Sequence, residues 1–286
     1  MTTKDDKRST VLVTGASGMI GSATVRGLLV SGRRVVGVDR RESEETLENC
    51  VRCVVDLADK DALQKIIAEH NVDRIVHLAA LAHASDGKYS WEDYKRLNVD
   101  CARNVFEAAG DRPVLFISTV DVYGFTKGTV DVQTELRPVS HYAKSKALAE
   151  AECRKSPRYT IFRFSPVYTD SVKRDIQKRY YLKYPNIAYQ IGKGTEYEIL
   201  NVNRAVEAIV SWCGEDVKNE TRIIKDARRM NTADYIKMEK SEGRAKIVLR
   251  FPRWAVRLGY ATATALTGEN KYTYLLNKAA NPLRSE

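Results

Sequence analysis

A tyrosine and a lysine lie four residues apart in the stretch Tyr142–Lys146, which reads Tyr-Ala-Lys-Ser-Lys. The surrounding sequence has helical periodicity, and residues four apart lie on the same face of a helix. A free phenol ionises only near pH ~10, and neighbouring positive charge favours its ionised form. The pair therefore predicts that Tyr142 acts as a general acid and base near neutral pH, with the Lys146 ammonium favouring the phenolate.

A hydroxyl residue, Thr119, follows the β-branched run Val114–Ser118 and precedes Val120-Asp-Val-Tyr-Gly. At the end of a strand, its hydroxyl is expected to hydrogen-bond a substrate oxygen while the proton of that oxygen passes to or from Tyr142. Hydride would then move between the substrate carbon and a nicotinamide cofactor. Thr119, Tyr142 and Lys146 are the predicted catalytic residues.

A glycine-rich turn near the N-terminus predicts where such a cofactor binds. The run Val11–Thr14 leads into Gly15-Ala-Ser-Gly-Met-Ile-Gly21, and a helical stretch follows. One glycine permits the unusual backbone of the turn, one lets a pyrophosphate approach, and one allows close packing of the helix. The free N–H groups at the helix start favour the anion. The predicted contacts in this turn are Gly15, Ser17, Gly18, Met19, Ile20 and Gly21.

An acidic residue, Asp39, ends the next predicted strand, 24 residues after Gly15. A carboxylate at this place accepts hydrogen bonds from the adenosine ribose, which indicates NAD. Arg40 follows, and a guanidinium there could hold the 2′-phosphate of NADP, so NADP stays open. Further predicted cofactor contacts are Asp56, Leu57, Leu78, Ala79 and Ala80, together with Tyr142 and Lys146.

Short β-branched runs alternate with helical stretches from Thr10 to about Arg163. The predicted strands are Thr10–Thr14, Val35–Val38, Val51–Val55, Arg74–Leu78, Val114–Ser118 and Thr160–Phe164. The predicted helices are Gly18–Val30, Asp59–His70, Trp91–Ala109 and Ser140–Arg154, with Asp59 and Ser90 as N-caps. This alternation predicts an α/β fold, a Rossmann-type doubly wound parallel sheet with helices on both faces.

The alternation stops after Pro166. The remaining elements are a basic helix Ser171–Lys183, a strand near Ile187–Gln190, a helix Val202–Trp212 and helices after Thr232 and Pro252. We therefore expect a dinucleotide-binding domain over residues 1–168, with room for later segments to return to it. Residues 169–286 are expected to form a smaller, mostly helical substrate-binding lobe.

The composition excludes several classes of protein. The 286 residues are 43% hydrophobic and 29% charged, which excludes intrinsic disorder and disulfide-stapled miniproteins. No apolar stretch reaches the ~18–20 residues of a membrane span, so no membrane partner is expected. The net charge of +10 is spread along the chain without interleaved aromatic residues. It indicates a basic surface that helps to capture phosphates, not a nucleic-acid site.

The five cysteines do not suggest a disulfide framework. Cys50 and Cys53 form a Cys-x-x-Cys pair, but they open an apparent strand and have no second pair, so no metal site is predicted. The first ten residues, Met1–Thr10, have no apolar signal core. A reducing cytoplasmic location is therefore expected.

Together these motifs resemble the short-chain dehydrogenase/reductase superfamily, specifically its extended branch, the NAD-dependent epimerase/dehydratase family that acts largely on nucleotide sugars. The similarity covers Thr10 to about Tyr168. It is carried by Thr14–Gly21, Asp39, Asp56, His77–Ala80, Asn98, Ser118–Gly124 and Tyr142–Lys146. It implies a structural role for Asn98, a family arginine at Arg163, and a homodimer formed through the helices Trp91–Ala109 and Ser140–Arg154.

The chain departs from this family in its substrate motifs. Sugar 4,6-dehydratases of the family carry Asp-Glu after the active-site Thr, whereas this chain has Val120-Asp121. Valine cannot donate a proton, so we argue against dehydration and expect Asp121 to be a polar pocket residue. Other departures are Pro166 in place of a substrate-binding Asn, Tyr197 in place of an arginine used on the nucleotide diphosphate, and Asn203-Arg204 in place of Asp-Asp. Arg204, Lys173 and Lys193 are candidates to replace the phosphate contact.

Three functions are compatible with these residues. The first is an NAD(P)-dependent epimerase or ketoreductase acting on a nucleotide-activated sugar, its small-molecule partner. The second is a dehydrogenase of the 3β-hydroxysteroid type, with an apolar pocket built from the aromatic segment Arg179–Tyr184 and the helix Phe251–Leu266. The third is a non-catalytic dinucleotide sensor, against which the intact Thr119, Tyr142 and Lys146 argue. Asp39 favours NAD and therefore the epimerase.

Overall fold

The computed structural model describes residues 9–42, 45–82, 88–125, 128–171, 174–182 and 186–286. The chain divides into two compact units. The first unit comprises Met1–Ser118, Lys144–Arg163 and Val202–Arg222. The second unit comprises Thr119–Ala143, Phe164–Asn201 and Ile223–Glu286. That residues 169–286 bind the substrate stays a prediction.

The elements follow one another along the chain in two stretches. The first stretch contains β1 (Thr10–Thr14), α1 (Met19–Val30), β2 (Arg34–Asp39), β3 (Cys50–Val54), α2 (Lys60–Glu69), β4 (Arg74–His77), α3 (Trp91–Lys95), a π-helical turn (Arg96–Asp100), α4 (Cys101–Ala109), β5 (Val114–Thr119), a 3₁₀ turn (Val120–Tyr123), β6 (Thr129–Val130) and α5 (His141–Cys153). The second stretch contains β7 (Tyr159–Phe164), β8 (Val167–Tyr168), α6 (Arg174–Gln177), β9 (Ile187–Ile191), β10 (Glu196–Tyr197), β11 (Leu200–Asn201), α7 (Val202–Trp212), β12 (Glu220–Ile224), β13 (Met230–Asn231), α8 (Thr232–Ser241), β14 (Ile247–Phe251), α9 (Arg253–Thr267), α10 (Lys271–Ala280) and β15 (Arg284–Ser285).

A seven-stranded sheet with the order β12-β7-β5-β4-β1-β2-β3 confirms the predicted Rossmann-type fold. β1 pairs in parallel with both β2 and β4, with Val11 opposite Val35 on one side and Arg74 on the other. All five residues of β1 are buried because helices cover both faces of the sheet. The strand order reverses beside β1, and ligands of such sheets bind at the carboxyl ends of the strands at this point.

A hydrophobic cluster packs α2 and α4 against the sheet. Leu63 and Ile67 on α2 and Val105 on α4 are almost fully buried, and each contributes ~1.5–3 kcal/mol through its removal from water. The predicted N-caps are confirmed. The Asp59 carboxylate accepts from the Ala62 N–H at 2.9 Å, and Ser90 forms a capping box at the start of α3.

Two expectations from the sequence need correction. The predicted helix Trp91–Ala109 is interrupted by the π-helical turn at Arg96–Asp100. The predicted helix Ser171–Lys183 is wrong, because α6 ends at Gln177, while residues 172–173 and 183–185 lie outside the described residues. After α6, the Tyr189 N–H donates to the Tyr180 carbonyl at 2.7 Å, a contact that a continuous helix over these residues would not make.

The second unit combines helices with two-stranded pairings. The strand pairs are β8 with β11, β9 with β14, β10 with β13 and β6 with β15. Its core is built around Ile176, Tyr180, Ala188 and Ile236. Across the described part of the chain, no helix has the length and apolar character needed to cross a membrane.

Candidate active site

A pocket of the first unit lies at the carboxyl ends of the central strands. Its volume is about 830 Å³, which includes the space at its open mouth. It is lined by nine of the predicted cofactor residues: Gly15, Gly18, Asp39, Arg40, Asp56, Leu57, Leu78, Ala79 and Ala80. Ser17, Met19, Ile20 and Gly21 belong to the same turn and the first turn of α1. The sequence analysis did not name as cofactor contacts six further residues that line the pocket, most of which are apolar and carry no chemical signal of their own: Val38, Arg41, Val55, Leu81, Leu97 and Cys101.

The backbone of the glycine turn leaves no room for a Cβ atom at Gly15 or Gly21. Gly15 has φ +69°, and a Cβ there would lie 2.8 Å from the Ala79 backbone. A Cβ on Gly21 would collide with the carbonyl oxygen of Gly15. Gly18 is the N-cap of α1 and offers no side-chain hydrogen bond, so the first N–H groups of the helix remain available for an anion.

Asp39 is held in a fixed orientation at the end of β2. Its carboxylate accepts hydrogen bonds from the backbone N–H of Ser17 at 3.1 Å and of Arg41 at 3.2 Å. Lone pairs remain on both oxygens for the hydroxyls of a ribose. A 2′-phosphate would meet this carboxylate at close range, so the residues present fit NAD better than NADP.

His77 and Thr14 tie the ends of β4 and β1 together. The Thr14 hydroxyl lies 2.7 Å from His77 Nδ1 and accepts from the Ala79 N–H at 3.3 Å. Burial between Phe106 and Phe116, and to a smaller extent the charge of Lys146, lowers the pKa of His77 to about 3. His77 is therefore a neutral structural residue at physiological pH, a role that the sequence did not reveal.

Helix α5 carries both Tyr142 and Lys146. Lys146 is 2% exposed, and its ammonium lies 4.0 Å from the centre of the Phe116 ring. Burial lowers the pKa of Lys146 to about 7, against the opposing effects of Glu150 and Cys153. Tyr142 lies one turn earlier and is partly exposed. Lys146 belongs to the first unit, while Tyr142 and Thr119 belong to the second, so the joint action of the three stays a prediction.

Two buried polar clusters fix the Lys146 region of α5. Asn98 donates to the Ser145 hydroxyl at 2.9 Å and exchanges hydrogen bonds with the Leu81 backbone, which supports the structural role expected for it. The Glu150 carboxylate accepts from the Ser118 hydroxyl and from Arg163, both at 2.7 Å. The sequence analysis missed Glu150, whose signal was a charged residue on the inner face of a helix.

Thr119 ends β5 and caps the 3₁₀ turn that follows. Its Oγ1 accepts from the Asp121 N–H at 3.2 Å. A hydroxyl that accepts in this way keeps its own O–H to donate. Thr119 is therefore able to donate a hydrogen bond, and its predicted donation to a substrate oxygen stays a prediction.

A second pocket lies within the second unit, immediately after Thr119 in the sequence. Asp121 lines it, as expected, and pairs with Lys278 at 2.7 Å. The pKa of Asp121 is lowered by Lys278, Arg179 and Lys178, although burial opposes this shift. The Arg179 guanidinium lies 4.5 Å from the centre of the Tyr197 ring.

The positions that depart from the family's substrate motifs, and the residues predicted to replace its phosphate contact, differ in their surroundings. Pro166 and Tyr197 line the pocket of the second unit. Arg204 is on the exposed side of α7 and pairs with Glu207 at 3.2 Å, and Lys193 is exposed. Lys173 lies outside the described residues, so the structure gives no contact for it.

The model of the NAD dependent epimerase/dehydratase family matches residues 11–212, and the chain belongs to this family. UDP-glucose 4-epimerase 2 of Oryza sativa subsp. japonica is 34% identical over 162 residues, which cover 51% of this chain and 40% of the rice protein. The dTDP-glucose 4,6-dehydratase of Neisseria gonorrhoeae is 32% identical over 168 residues, 50% of this chain and 49% of that protein. The chain spans half or less of the length of these relatives.

Solved structures share the same fold. UDP-glucuronic acid 4-epimerase from Bacillus cereus in complex with NAD has a TM-score of 0.69 and 22% identity, over 85% of this chain and 87% of that one. MoeE5 in complex with UDP-glucuronic acid and NAD has a TM-score of 0.71 and 24% identity, over 85% and 86%. Family membership confirms the predicted extended short-chain dehydrogenase/reductase class, with NAD as the cofactor of the family.

Proposed function

We propose that the protein is an NAD-dependent epimerase or ketoreductase acting on a nucleotide-activated sugar. The observation that carries this proposal is the glycine turn facing Asp39 in a pocket whose walls fit a dinucleotide. Relatives named as a UDP-glucose epimerase and a dTDP-glucose dehydratase support the substrate class. The turn Gly15–Gly21 would hold the pyrophosphate, and Asp39 the adenosine ribose.

The catalytic step that we propose uses three side chains of this chain. NAD, when bound, supplies reversible hydride acceptance at the substrate carbon. Tyr142 takes the proton of the reacting hydroxyl and later returns it, and Thr119 donates a hydrogen bond to the same oxygen. Lys146, whose pKa of about 7 lets it change charge near neutral pH, favours the phenolate when it is protonated.

The two members of this class differ in what happens to the keto sugar. In an epimerase the keto sugar rotates within the site, so that the hydroxyl of the sugar is restored with the opposite configuration. This reaction needs no external reductant. A ketoreductase releases the reduced product after one transfer. The geometry of Asp39, which disfavours a 2′-phosphate, supports NAD and therefore the epimerase.

The pocket of the second unit and the aromatic segment Arg179–Tyr184 do not favour the hydroxysteroid alternative. Its pocket is lined by charged groups, Asp121, Arg179 and Lys278, which do not suit a sterol. The aromatic residues Tyr180 and Tyr181 hydrogen-bond Glu239 at 3.3 Å and 3.0 Å and pack with the core of the second unit, so they do not build an apolar cavity.

We also propose that the enzyme is a cytoplasmic homodimer. The five cysteines are free thiols, which suits a reducing compartment. Helix α5 exposes Leu148, one of the apolar side chains that a partner helix would cover. Multi-angle light scattering on the purified protein should give twice the 32.3 kDa chain mass, and a monomer would contradict the dimer.

Two experiments test the function. The first denatures the protein and identifies any nicotinamide cofactor that is released. The second incubates the native protein with UDP-, dTDP- and GDP-sugars and follows the products by NMR. Interconversion of sugar epimers without net absorbance change at 340 nm supports the epimerase, and NADH-dependent reduction of a keto sugar supports the reductase. Tyr142→Phe should abolish either reaction while NAD binding is retained. Tight NAD binding without turnover of any sugar would overturn the proposal and favour the sensor.

A further inference from the structure

Exposed apolar side chains are concentrated in one stretch of the second unit, which comprises β14, α9 and α10. Of the fourteen large apolar side chains that are exposed in the described part of the chain, nine lie in this stretch. Single exposed apolar residues need no explanation, whereas a concentration of this kind marks a surface that binds a partner. The nine are Ile247, Leu249, Phe251, Trp254, Leu258, Leu266, Tyr272, Leu275 and Leu276.

Helix α9 exposes its apolar residues along its whole length. Trp254, Leu258 and Leu266 are 69%, 59% and 80% exposed, and no residue of α9 is buried. Trp254, Leu258, Ala261 and Ala265 follow one another at spacings of four, three and four residues, so they share one face of the helix. All four are exposed. Within the part of the chain that the structure describes, nothing covers this face.

Strand β14 continues the same exposed surface along the chain, because it ends directly before the N-cap of α9. Ile247, Leu249 and Phe251 alternate along the strand, so they share one face, and all three are exposed. Val248 points the other way and packs on the core of the second unit. The segment Phe251–Leu266, which the sequence offered as a wall of an apolar pocket, therefore has its large apolar side chains at the surface.

The charge of this segment has one sign. Residues 243–268 contain no acidic residue and five basic ones, Arg244, Lys246, Arg250, Arg253 and Arg257. Two of the five are engaged within the second unit, by an ion pair and by a hydrogen bond to a carbonyl. Lys246, Arg250 and Arg257 are exposed and form no ion pair with any residue that the structure describes. The apolar face is thus bordered by cations that are available to an anionic partner.

This pattern disfavours a second copy of the chain as the partner. In a two-fold dimer the same face meets itself, so the cations of one copy would face the cations of the other. Because residues 243–268 contain no acidic side chain, the segment cannot neutralise them. Like charges placed opposite one another across an interface are unfavourable.

An anionic lipid surface fits the same pattern. Surface helices of this kind place tryptophan and leucine at the boundary between headgroups and acyl chains, and their basic residues contact the headgroups. The 15 residues of α9 extend over about 22 Å, less than the ~30 Å of a hydrocarbon core. The helix would therefore lie in the plane of the surface. The absence of spans, from which no membrane partner was expected, does not bear on this mode of binding.

We infer that α9 docks the protein on an anionic phospholipid surface. Trp254, Leu258 and Leu266 enter the boundary between headgroups and acyl chains, and Arg250 and Arg257 bind lipid phosphates. The inference concerns where the protein lies and not the reaction that it carries out. It stands or falls independently of the proposed function.

The test measures sedimentation of the purified protein with vesicles. One set of vesicles contains equal parts of phosphatidylcholine and phosphatidylglycerol, and the other contains phosphatidylcholine alone. We expect binding to the mixed vesicles and little to the neutral ones. Salt should weaken the binding, because the screening length falls from ~10 Å at 0.1 M to ~3 Å at 1 M.

Substitutions on the exposed face separate its apolar and charged contributions. Trp254→Ser should lower the partition coefficient about tenfold, since an aromatic side chain no longer leaves water. Arg250→Gln and Arg257→Gln should each lower it about fivefold. Val30→Ser, at a side chain of α1 that is 89% exposed, and Lys65→Gln, at an exposed cation of α2, are the matched controls in the first unit and should change nothing.

Tryptophan fluorescence shows whether the helix enters the lipid. The chain has three tryptophans, of which Trp212 is fully buried, Trp91 is half-buried and Trp254 is exposed. Mixed vesicles should shift the emission of the wild type to shorter wavelength. Trp254→Phe should keep most of the binding and lose this shift. A shift that persists in Trp254→Phe would contradict entry of α9.

Other results overturn the inference in distinguishable ways. Absence of binding to mixed vesicles, equal binding to neutral ones, or equal losses in the two control variants would each show that α9 is not a lipid-binding element. If Trp254→Ser lowers the mass in light scattering while the wild type ignores vesicles, a second copy covers this face. The substituted side chains are exposed, and a wild-type urea midpoint in each variant excludes loss of the fold as the cause.

Discussion

Replacement of Lys146 by methionine should stabilise the cofactor-free protein at low pH. Lys146 is buried, and its pKa falls from the usual 10.5 to about 7 in the folded chain. The difference corresponds to about 5 kcal/mol at most, at 1.36 kcal/mol per pH unit. Below pH 7 the folded state carries the full cost of the buried ammonium. Between pH 7 and 10.5 the unfolded chain binds the proton and the folded chain does not, so stability rises with pH.

Methionine has a similar shape and no charge, so it removes this pH-dependent cost. We expect Lys146→Met to unfold at higher urea than the wild type at pH 6, and the gap in unfolding free energy to narrow by about 3 kcal/mol by pH 9.5. Urea denaturation followed by circular dichroism at several pH values measures the gap. Lys144→Met, on the exposed side of the same helix, serves as the control and should shift little at any pH. Parallel stability curves for Lys146→Met and the wild type would refute the reasoning.

Three further predictions concern the glycine turn, the buried ion pair and the ribose carboxylate. Gly21→Ala should weaken NAD binding at least about 100-fold by calorimetry, because its Cβ collides with the Gly15 carbonyl. The control is Gly259→Ala, which lies in open space on α9. It should leave NAD binding unchanged and raise the free energy of unfolding by up to ~1 kcal/mol. Arg163→Met should cost about 3–5 kcal/mol in urea unfolding, since it leaves the Glu150 charge buried, and adding Glu150→Gln should recover part of that loss. Asp39→Asn should weaken NAD by about tenfold and raise the NADP-to-NAD affinity ratio; an unchanged ratio in fluorescence titration would contradict the role given to this carboxylate.

The central strands could be predicted from the sequence because burial on both faces of a parallel sheet requires nearly continuous apolar, β-branched runs. β1 is buried along its whole length, and β5 is apolar and buried over its first four residues. β12, at Glu220–Ile224, was not predicted from the sequence. It is an edge strand with half-buried residues, and its Arg222 pairs with Glu215 at 2.7 Å. An edge strand of this kind has no hydrophobic pattern to detect.

The candidate cofactor site was predictable for a different reason. The glycine turn and Asp39 belong to one strand-helix-strand unit, β1-α1-β2. Their spacing along the sequence therefore predicts their relative positions in the structure. Glu150, which binds Arg163 and Ser118, and Lys278, which binds Asp121, depend on tertiary contacts between distant segments. Such partners cannot be inferred from residues that are neighbours in the sequence.

The central claim is that the turn Gly15–Gly21 and helix α5 hold a dinucleotide in front of an ionisable phenol. A crystal structure of the protein soaked with NAD tests it most directly. We expect the pyrophosphate on the glycine turn, the adenosine ribose on Asp39, and the Tyr142 hydroxyl facing C4 of the nicotinamide. An empty turn, or a Tyr142 hydroxyl pointing away from the nicotinamide in the occupied site, would contradict the account.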